Sequence, residues 1–292
     1  MAAEHNRHWK IGDVEVARIV EVFDFDDDID MLFPGATAEF VQQFKWLQPH
    51  YARPNGRMVL NFQAFVLRSR GKSVMIDTCI GADRHREFPI FTNMQTTFLD
   101  DLRAAGFPPE EVSAVLCTHL HFDHVGWNTM LVDGKWVPTF PNARYLFGAA
   151  EWAHWKHLRD TGGYHHMDHL VDSIDPVMEA GLVDFIEPDF QVTDEVSLIP
   201  TPGHTPGHVS VLIRSAGQEA VITGDMMHNP IQFAVPEKHG RFDMDKDQAA
   251  QTRLAFIKRF SDTGTTVIGS HFPDPTAGKI VRDGAAWKLT SE

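Results

Sequence analysis

Thr118-His119-Leu120-His121-Phe122-Asp123-His124 places four metal-competent side chains within six residues. Imidazole and carboxylate suit a divalent metal such as zinc. The run follows Ala114-Val115-Leu116-Cys117, a short apolar stretch that predicts a buried strand. A strand that stops at a polar loop delivers side chains to the edge of a sheet, where sites are usually built. His119, His121 and Asp123 alternate, so they can project in related directions, and His124 reaches a second position. With distant partners added, these are more ligands than one tetrahedral ion needs. The run therefore points to two metals.

Candidate partners lie downstream. Pro202-Gly203-His204 supplies a histidine in a tight turn. Gly224-Asp225 supplies a carboxylate after the apolar run Ala220-Val221-Ile222, and Gly269-Ser270-His271 a histidine after Thr266-Val267-Ile268. Asp77 follows Val74-Met75-Ile76 in the same way. Five strand ends of this kind predict convergence on one edge. The chain has 17 histidines, so some must cluster by accident. His154 with His157, and His165, His166 and His169, have no such strand-end setting and read as solvated surface residues.

These residues carry a family resemblance. His119-Leu120-His121-Phe122-Asp123-His124 resembles the H-x-H-x-D-H signature of the metallo-β-lactamase-fold hydrolases. Thr201-Pro202-Gly203-His204-Thr205-Pro206-Gly207-His208 resembles that family's third motif, Gly224-Asp225 and His271 its last two, and Ile76-Asp77-Thr78 its first. The resemblance spans residues 55 to 285. It implies one metal held by His119, His121 and His204, a second by Asp123, His124 and His271, and Asp225 bridging both. Asp77 would stand behind a ligand imidazole and fix its tautomer. His208 is expected to be structural, since the ligand sets are full without it.

The chemistry expected of such a centre is hydrolysis. Two divalent ions sharing a water lower its pKa toward neutrality, and one ion polarises the electrophile. Asp123 can orient that water and shuttle its proton to the leaving group. No G-x-S-x-G nucleophile motif appears, and Cys117 reads as a buried, inert thiol. Zinc is the expected metal, with manganese, cobalt or iron as alternatives.

Composition narrows the partners. The 26 basic and 40 acidic residues give a net charge of −14. That disfavours nucleic acid, whose affinity rests on Lys and Arg contacts to phosphate, and anionic membrane surfaces. Two cysteines, Cys79 and Cys117, give no disulfide framework. The stretch from Met1 to Lys10 is polar, and no apolar run of 18 residues occurs, so a cytoplasmic enzyme is the default expectation.

Residues 1–292 read as one domain, without linker or repeat. Strands are expected over Val14 to Val22, Leu60 to Leu67, Glu195 to Pro200, Val209 to Arg214 and Glu219 to Thr223, with a closing strand from Ile280 to Leu289. Asp133-Gly134 marks a hairpin turn before the strand ending at Phe147. Helices are expected over Thr97 to Ala105, Glu151 to Leu158, His169 to Ala180 and Asp247 to Phe260. This order fits a four-layer αββα sandwich, an α/β (α+β) fold. Residues 23–30 are acidic and read as a solvated loop or helix start, with a calcium or partner site as the alternative. Residues 31–58 are rich in aromatics, and 23–58 together read as an N-terminal extension over the site mouth or a dimer contact. A homodimer is expected on that basis and by family analogy.

The substrate is less legible. Trp127, Phe91, Phe122 and Phe233, with Phe88, are candidate walls of an apolar pocket. His228, three residues after Asp225, stands where the lactonase branch often has a carbonyl-polarising tyrosine. The Gly224-Asp225-Met226-Met227-His228 pattern is similar to the methyl-parathion-hydrolase-like branch. A neutral His228 could donate to a developing oxyanion. A small neutral ester, lactone or phosphotriester is expected, acyl-homoserine-type lactones among them. An iron-dependent oxygenase of the same fold is the alternative from another class, and a binding protein with structural metals is a third.

Overall fold

The computed structural model describes residues 5–290, so the first four residues of the polar Met1 to Lys10 stretch lie outside the described residues. The chain runs through β1 (His8–Ile11), β2 (Val14–Asp27), β3 (Met58–Ser69), β4 (Lys72–Ile76) and β5 (Ala114–Leu116). A separate hairpin, β6 (Thr129–Val132) and β7 (Lys135–Pro138), turns at Asp133-Gly134 as expected. It is followed by β8 (Arg144–Gly148) and β9 (Val183–Ile186). The second half holds β10 (Gln191–Thr193), β11 (Val196–Pro200), β12 (Val209–Ser215), β13 (Gln218–Ile222), β14 (Thr266–Ile268), β15 (Ala277–Asp283) and β16 (Ala286–Thr290).

Two seven-stranded sheets result, ordered β1-β2-β3-β4-β5-β8-β9 and β10-β11-β12-β13-β14-β15-β16. The first is antiparallel up to β4 and parallel from β4 through β9. The second has one parallel pair, β13 with β14. Both faces of the central strands are buried, which explains their continuous apolar runs. Leu116, Val74 and Ile76 meet Val211, Ile213 and Ile222 in the core between the sheets. Val115 and Met75 point the other way, onto a core with Phe98, Leu102 and Trp155 from the helices Phe98–Ala104 and Ala149–Thr161. Leu212, Val221 and Val267 pack outward against Phe256, Ile257 and Phe260 of the helix Lys246–Phe260. The layers are therefore helix, sheet, sheet, helix, the expected sandwich.

Several local expectations are corrected. Acidic residues 23–27 are not a loop: β2 continues through them and pairs with β3 as far as Asp27 with Met58, where Arg57 answers Asp26 and Asp28. The closing strand is a hairpin of β15 and β16, broken at Gly284. The helix from His169 begins with a π turn, Leu170–Ile174, that aims Asp172 at Arg84 and Arg86. Residues 29–58 lie on the second sheet's side, with Phe33, Val41, Leu47 and Tyr51 buried against Met226, Met227 and Ile231. These side chains, Phe33 and Tyr51 among the aromatics, are spent on this chain's own core and do not by themselves indicate a second copy. Among the described residues no helix is long and apolar enough to cross a membrane.

Candidate metal centre

The ligand-type residues sit on one edge, at the C-terminal ends of strands. Asp77 follows β4, the 118–124 run follows β5, His204 follows β11, Asp225 follows β13 and His271 follows β14. Parallel pairing of β4 with β5 and of β13 with β14 sends those ends the same way. Two glycines are needed for the approach. Gly224 has φ +57°, and a Cβ there would lie 2.6 Å from His208 Nε2. Gly203 has φ +130°, and its Cβ would meet Ala249 N at 2.3 Å.

Two groups form. His119 Nε2 and His204 Nε2 each lie 2.9 Å from His121 Nδ1. Beside them, Asp225 Oδ1 lies 3.1 Å from both His124 Nε2 and His271 Nε2, and Asp123 Oδ2 lies 3.4 Å from His271 Nε2. Asp225 faces the first group as well, with Oδ2 3.8 Å from His119 Nε2 and 3.7 Å from His204 Nε2. This fits a pair of cations. In the first group the imidazole nitrogens converge on one another at 2.9 Å with Asp225 Oδ2 no nearer than 3.7 Å, and Asp225 Oδ1 is buried without a properly aligned donor. Ions at the two foci would satisfy all of these atoms at once.

The charge environments of the groups differ. Burial, reinforced by neighbouring imidazoles, holds His119 and His121 well below the usual histidine value. His124 and His271 go the other way. Burial works against their charge, but Asp225 and Asp123, with Asp77 at His124, outweigh it. Asp225 itself is held well below the usual carboxylate range, because His124, His271 and His228 overcome its burial.

Supporting contacts fix the ligands. Asp77 accepts from the Thr118 backbone at 2.7 Å and from Thr118 Oγ1 at 2.9 Å, and lies 2.9 Å from His124 Nδ1. His208 is no ligand: it accepts from the Asp225 N–H at Nε2, 2.8 Å, and contacts Thr201 Oγ1 through Nδ1. Burial and the nearby His204 pull its pKa down to about 3, in keeping with a neutral acceptor. His228 lies with Nε2 3.3 Å from Asp225 Oδ2 and its ring stacked on His271. His204, Asp225 and His228 thus also bring ligand-type atoms within 4.8 Å of one another.

The expected pocket walls divide. Phe91, Phe88 and Phe122 form one cluster with Phe25 and Phe62, and Phe62 meets His271 edge-on at 5.1 Å. Trp127 does not face the site. It stacks on Phe98 inside the first sheet's outer core and donates Nε1–H to Glu21. Phe233 is fully buried against Phe272 in the second outer core. Both follow a ligand in sequence, but the helical turn after Asp123 and the short helix Ile231–Ala234 turn them inward. His169 is not a surface residue either: it packs on Trp155, which in turn meets His121. Its pKa falls to about 4, by burial and by the Arg86 charge.

Other supports have no motif to announce them. Buried Glu151 accepts from the Leu120 and Gly207 backbones and from Trp155, tying both ligand loops together. The Asn61 carbonyl lies 2.8 Å from His271 Nδ1. A recess of about 20 Å³ lies beside His121, between Phe122, Trp155 and Tyr164. A larger cleft of about 990 Å³ lies elsewhere, along Trp9, Thr266 and Lys279, and contains none of the ligand residues.

Comparison with known proteins places the family and the fold. The signature described as the Metallo-beta-lactamase superfamily matches residues 62–271. An N-acyl homoserine lactonase of a Bacillus species is 30% identical over 162 residues, which cover 55% of this chain and 54% of that protein. The chain spans about half the length of the curated relatives of that kind. The crystal structure of the hydrolase AbOPH superposes with a TM-score of 0.79 at 24% identity, covering 99% of this chain and 97% of that one. AidC, a dizinc quorum-quenching lactonase in complex with its product, gives 0.78 at 20%, covering 98% and 97%. At those identities the likeness is one of fold. With the superfamily signature running through every ligand loop, from β3 to His271, the chain belongs to the metallo-β-lactamase superfamily.

Proposed function

We propose that this chain is a two-metal hydrolase that opens small neutral esters, lactones foremost. The observation that carries the proposal is Asp225, whose two carboxylate oxygens reach ligand nitrogens of both groups. Bound divalent ions, most simply zinc, would supply carbonyl polarisation and a water acidified toward neutrality. His119, His121 and His204 would hold one ion, Asp123, His124 and His271 the other.

The chain's own groups do the rest. Asp123 is the most exposed carboxylate of the set, with 12% of its side chain open. It takes the proton of the attacking water at Oδ2 and passes it to the leaving oxygen, so that the ring C–O bond breaks to an alcohol and a carboxylate. His228 donates to the carbonyl oxygen as charge develops there, in the place a tyrosine would occupy. The phenylalanine cluster of Phe62, Phe88, Phe91 and Phe122 takes the apolar part of the substrate. Lactones come first because several curated relatives, matched over about half of this chain, are named N-acyl homoserine lactonases.

The test is proton release in a pH-stat from zinc-loaded protein. A γ-lactone and an aryl phosphotriester are compared at matched concentration, with Asp225→Ala as control. Lactone opening that dominates and vanishes in the variant is expected. Dominant phosphotriester cleavage would move the substrate class. Iron with a visible chromophore, and no hydrolysis, would favour oxygen chemistry instead.

A further inference from the structure

The ligand imidazoles do not share one pattern of support. His124 has Asp77 at 2.9 Å, His271 has the Asn61 carbonyl at 2.8 Å, and His119 has Thr118 Oγ1 at 3.1 Å. His204 differs. Its Nδ1 faces Asp243 Oδ1 at 3.5 Å, and both atoms are buried without a hydrogen-bond partner. Behind Asp243 stands Arg253, donating from Nη1 to Oδ2 at 2.9 Å, from Nε to the Pro236 carbonyl at 2.9 Å and from Nη2 to the Lys238 carbonyl at 3.1 Å. The side chains are 1% and 0% exposed. Gly240 N–H also donates to Asp243 Oδ2.

We propose that Asp243, held by Arg253, is the positioning residue for His204, and that the pair couples the 236–244 segment to occupation of the three-histidine position. The proposal rests on the two-ion reading above. A histidine that ligates through Nε2 presents Nδ1–H on its far side, and a carboxylate there fixes the ring. Asp243 Oδ1 is the acceptor in that place, roughly half an ångström beyond ordinary hydrogen-bond length. Closing the gap draws two already adjoining strands of chain together. The Met244 N–H donates to the His204 carbonyl and the Asp245 N–H to the Gly203 carbonyl. Phe242, next in sequence to Asp243 and 6.2 Å from the His228 ring, is carried with it.

The experiment compares the full chain with Asp243→Asn and Arg253→Lys, loaded with zinc and then with cadmium. Asn keeps the shape and removes the charge, and Lys keeps a charge but loses the fork that spans Asp243 and two carbonyls. Chelator competition should show one zinc equivalent weakened 10–100-fold in Asp243→Asn. Cadmium NMR should show the resonance of the nitrogen-rich position displaced and the other unmoved. Hydrogen exchange of the 236–244 amides should slow on metal addition in the wild type and not in the variant. Arg253→Lys should give a smaller loss of the same kind. The proposal falls if both equivalents keep their affinity, or if both weaken together while the metal-free melting temperature drops. A wild type that binds a single ion counts against the two-ion reading, and Asp243 is then judged by whether its substitution weakens that ion.

Discussion

The two clusters of ligand-type residues, proposed above to hold one ion each, share Asp225 yet are built on different electrostatic plans. The first offers three imidazoles, rests on Trp155 and His169, and has its nearest carboxylate outside Asp225 at Asp243, beyond hydrogen-bond length. Of these, His119 and His121 are kept neutral by burial and by the neighbouring imidazoles. The second offers two imidazoles and Asp123, with Asp77 behind, and its histidines are driven toward the charged form by those carboxylates. A neutral imidazole is ready to ligate, whereas a protonated one must first release a proton. The difference teaches that one site edge can hold two positions of unlike readiness, with Asp225 as the group that makes them a unit.

Removing that unit should have the largest effect. Asp225→Ala deletes a ligand of both positions, and hydrolysis should fall by on the order of 10⁴-fold, about 5.5 kcal/mol of barrier. Metal content, measured by elemental analysis, should fall below two per chain. A variant that keeps two ions and most of its rate would show that the positions are independent, and the comparison would break.

The first side should be the one acid attacks through the fold itself. His169 has a folded pKa of about 4 against an unfolded value near 6.5. The fold prefers the neutral ring, so this contribution is fully present above pH 6.5 and is lost as pH falls through about 4. The span corresponds to about 3 kcal/mol. Urea unfolding of the metal-free chain between pH 7 and pH 4 should show a larger loss than that, because His119, His121 and His208 are also held neutral by the fold. His169→Phe should reduce the loss by about 3 kcal/mol, and a variant with the same slope as the wild type would sink the assignment.

Much of this contrast could be read from the chain, and the unreadable part has a physical cause. Ligands lie at strand ends, where apolar runs stop at a Gly and a polar residue, so Asp77, His119, His204, Asp225 and His271 are visible one at a time. The sandwich is visible too, because strands buried on both faces read as continuous apolar runs. Proximity along the chain misleads elsewhere. Trp127 and Phe233 follow ligands in sequence, but Trp127, one helical turn after Asp123, and Phe233, in the short helix Ile231–Ala234, both pack into the outer cores. His169 reads as solvated in the sequence because nothing local reveals that Trp155 packs on it. Asp243, Arg253 and Glu151 hold the centre from segments whose contacts exist only after folding.

A smaller test separates the positions. Asp77→Asn removes the charge beside His124 and reaches the first group only at one remove, through Thr118 Oγ1 and His119. The second ion should weaken 10–100-fold and the first should hold, as read by chelator competition. Equal weakening of both would mean that Asp77 acts through Thr118 and the whole 118–124 loop instead.

The smallest expected effect concerns the wall that the two positions share. Phe122 lines the recess beside His121 and also joins the phenylalanine cluster that reaches His271 through Phe62. It is half-buried, so Phe122→Ala removes substrate contact area without opening the core. If the cluster binds the apolar arm, kcat/KM for long-chain or aryl substrates should fall roughly tenfold, mostly in KM, while short-chain lactones keep theirs. Discrimination by chain length is the decisive quantity, because the contact grows with the length of the arm and the metal chemistry does not. A uniform loss at every chain length, carried by kcat, would make Phe122 a prop for Asp123 and His121 on either side of it, and the apolar arm would have to be sought on the Phe242 side of the mouth.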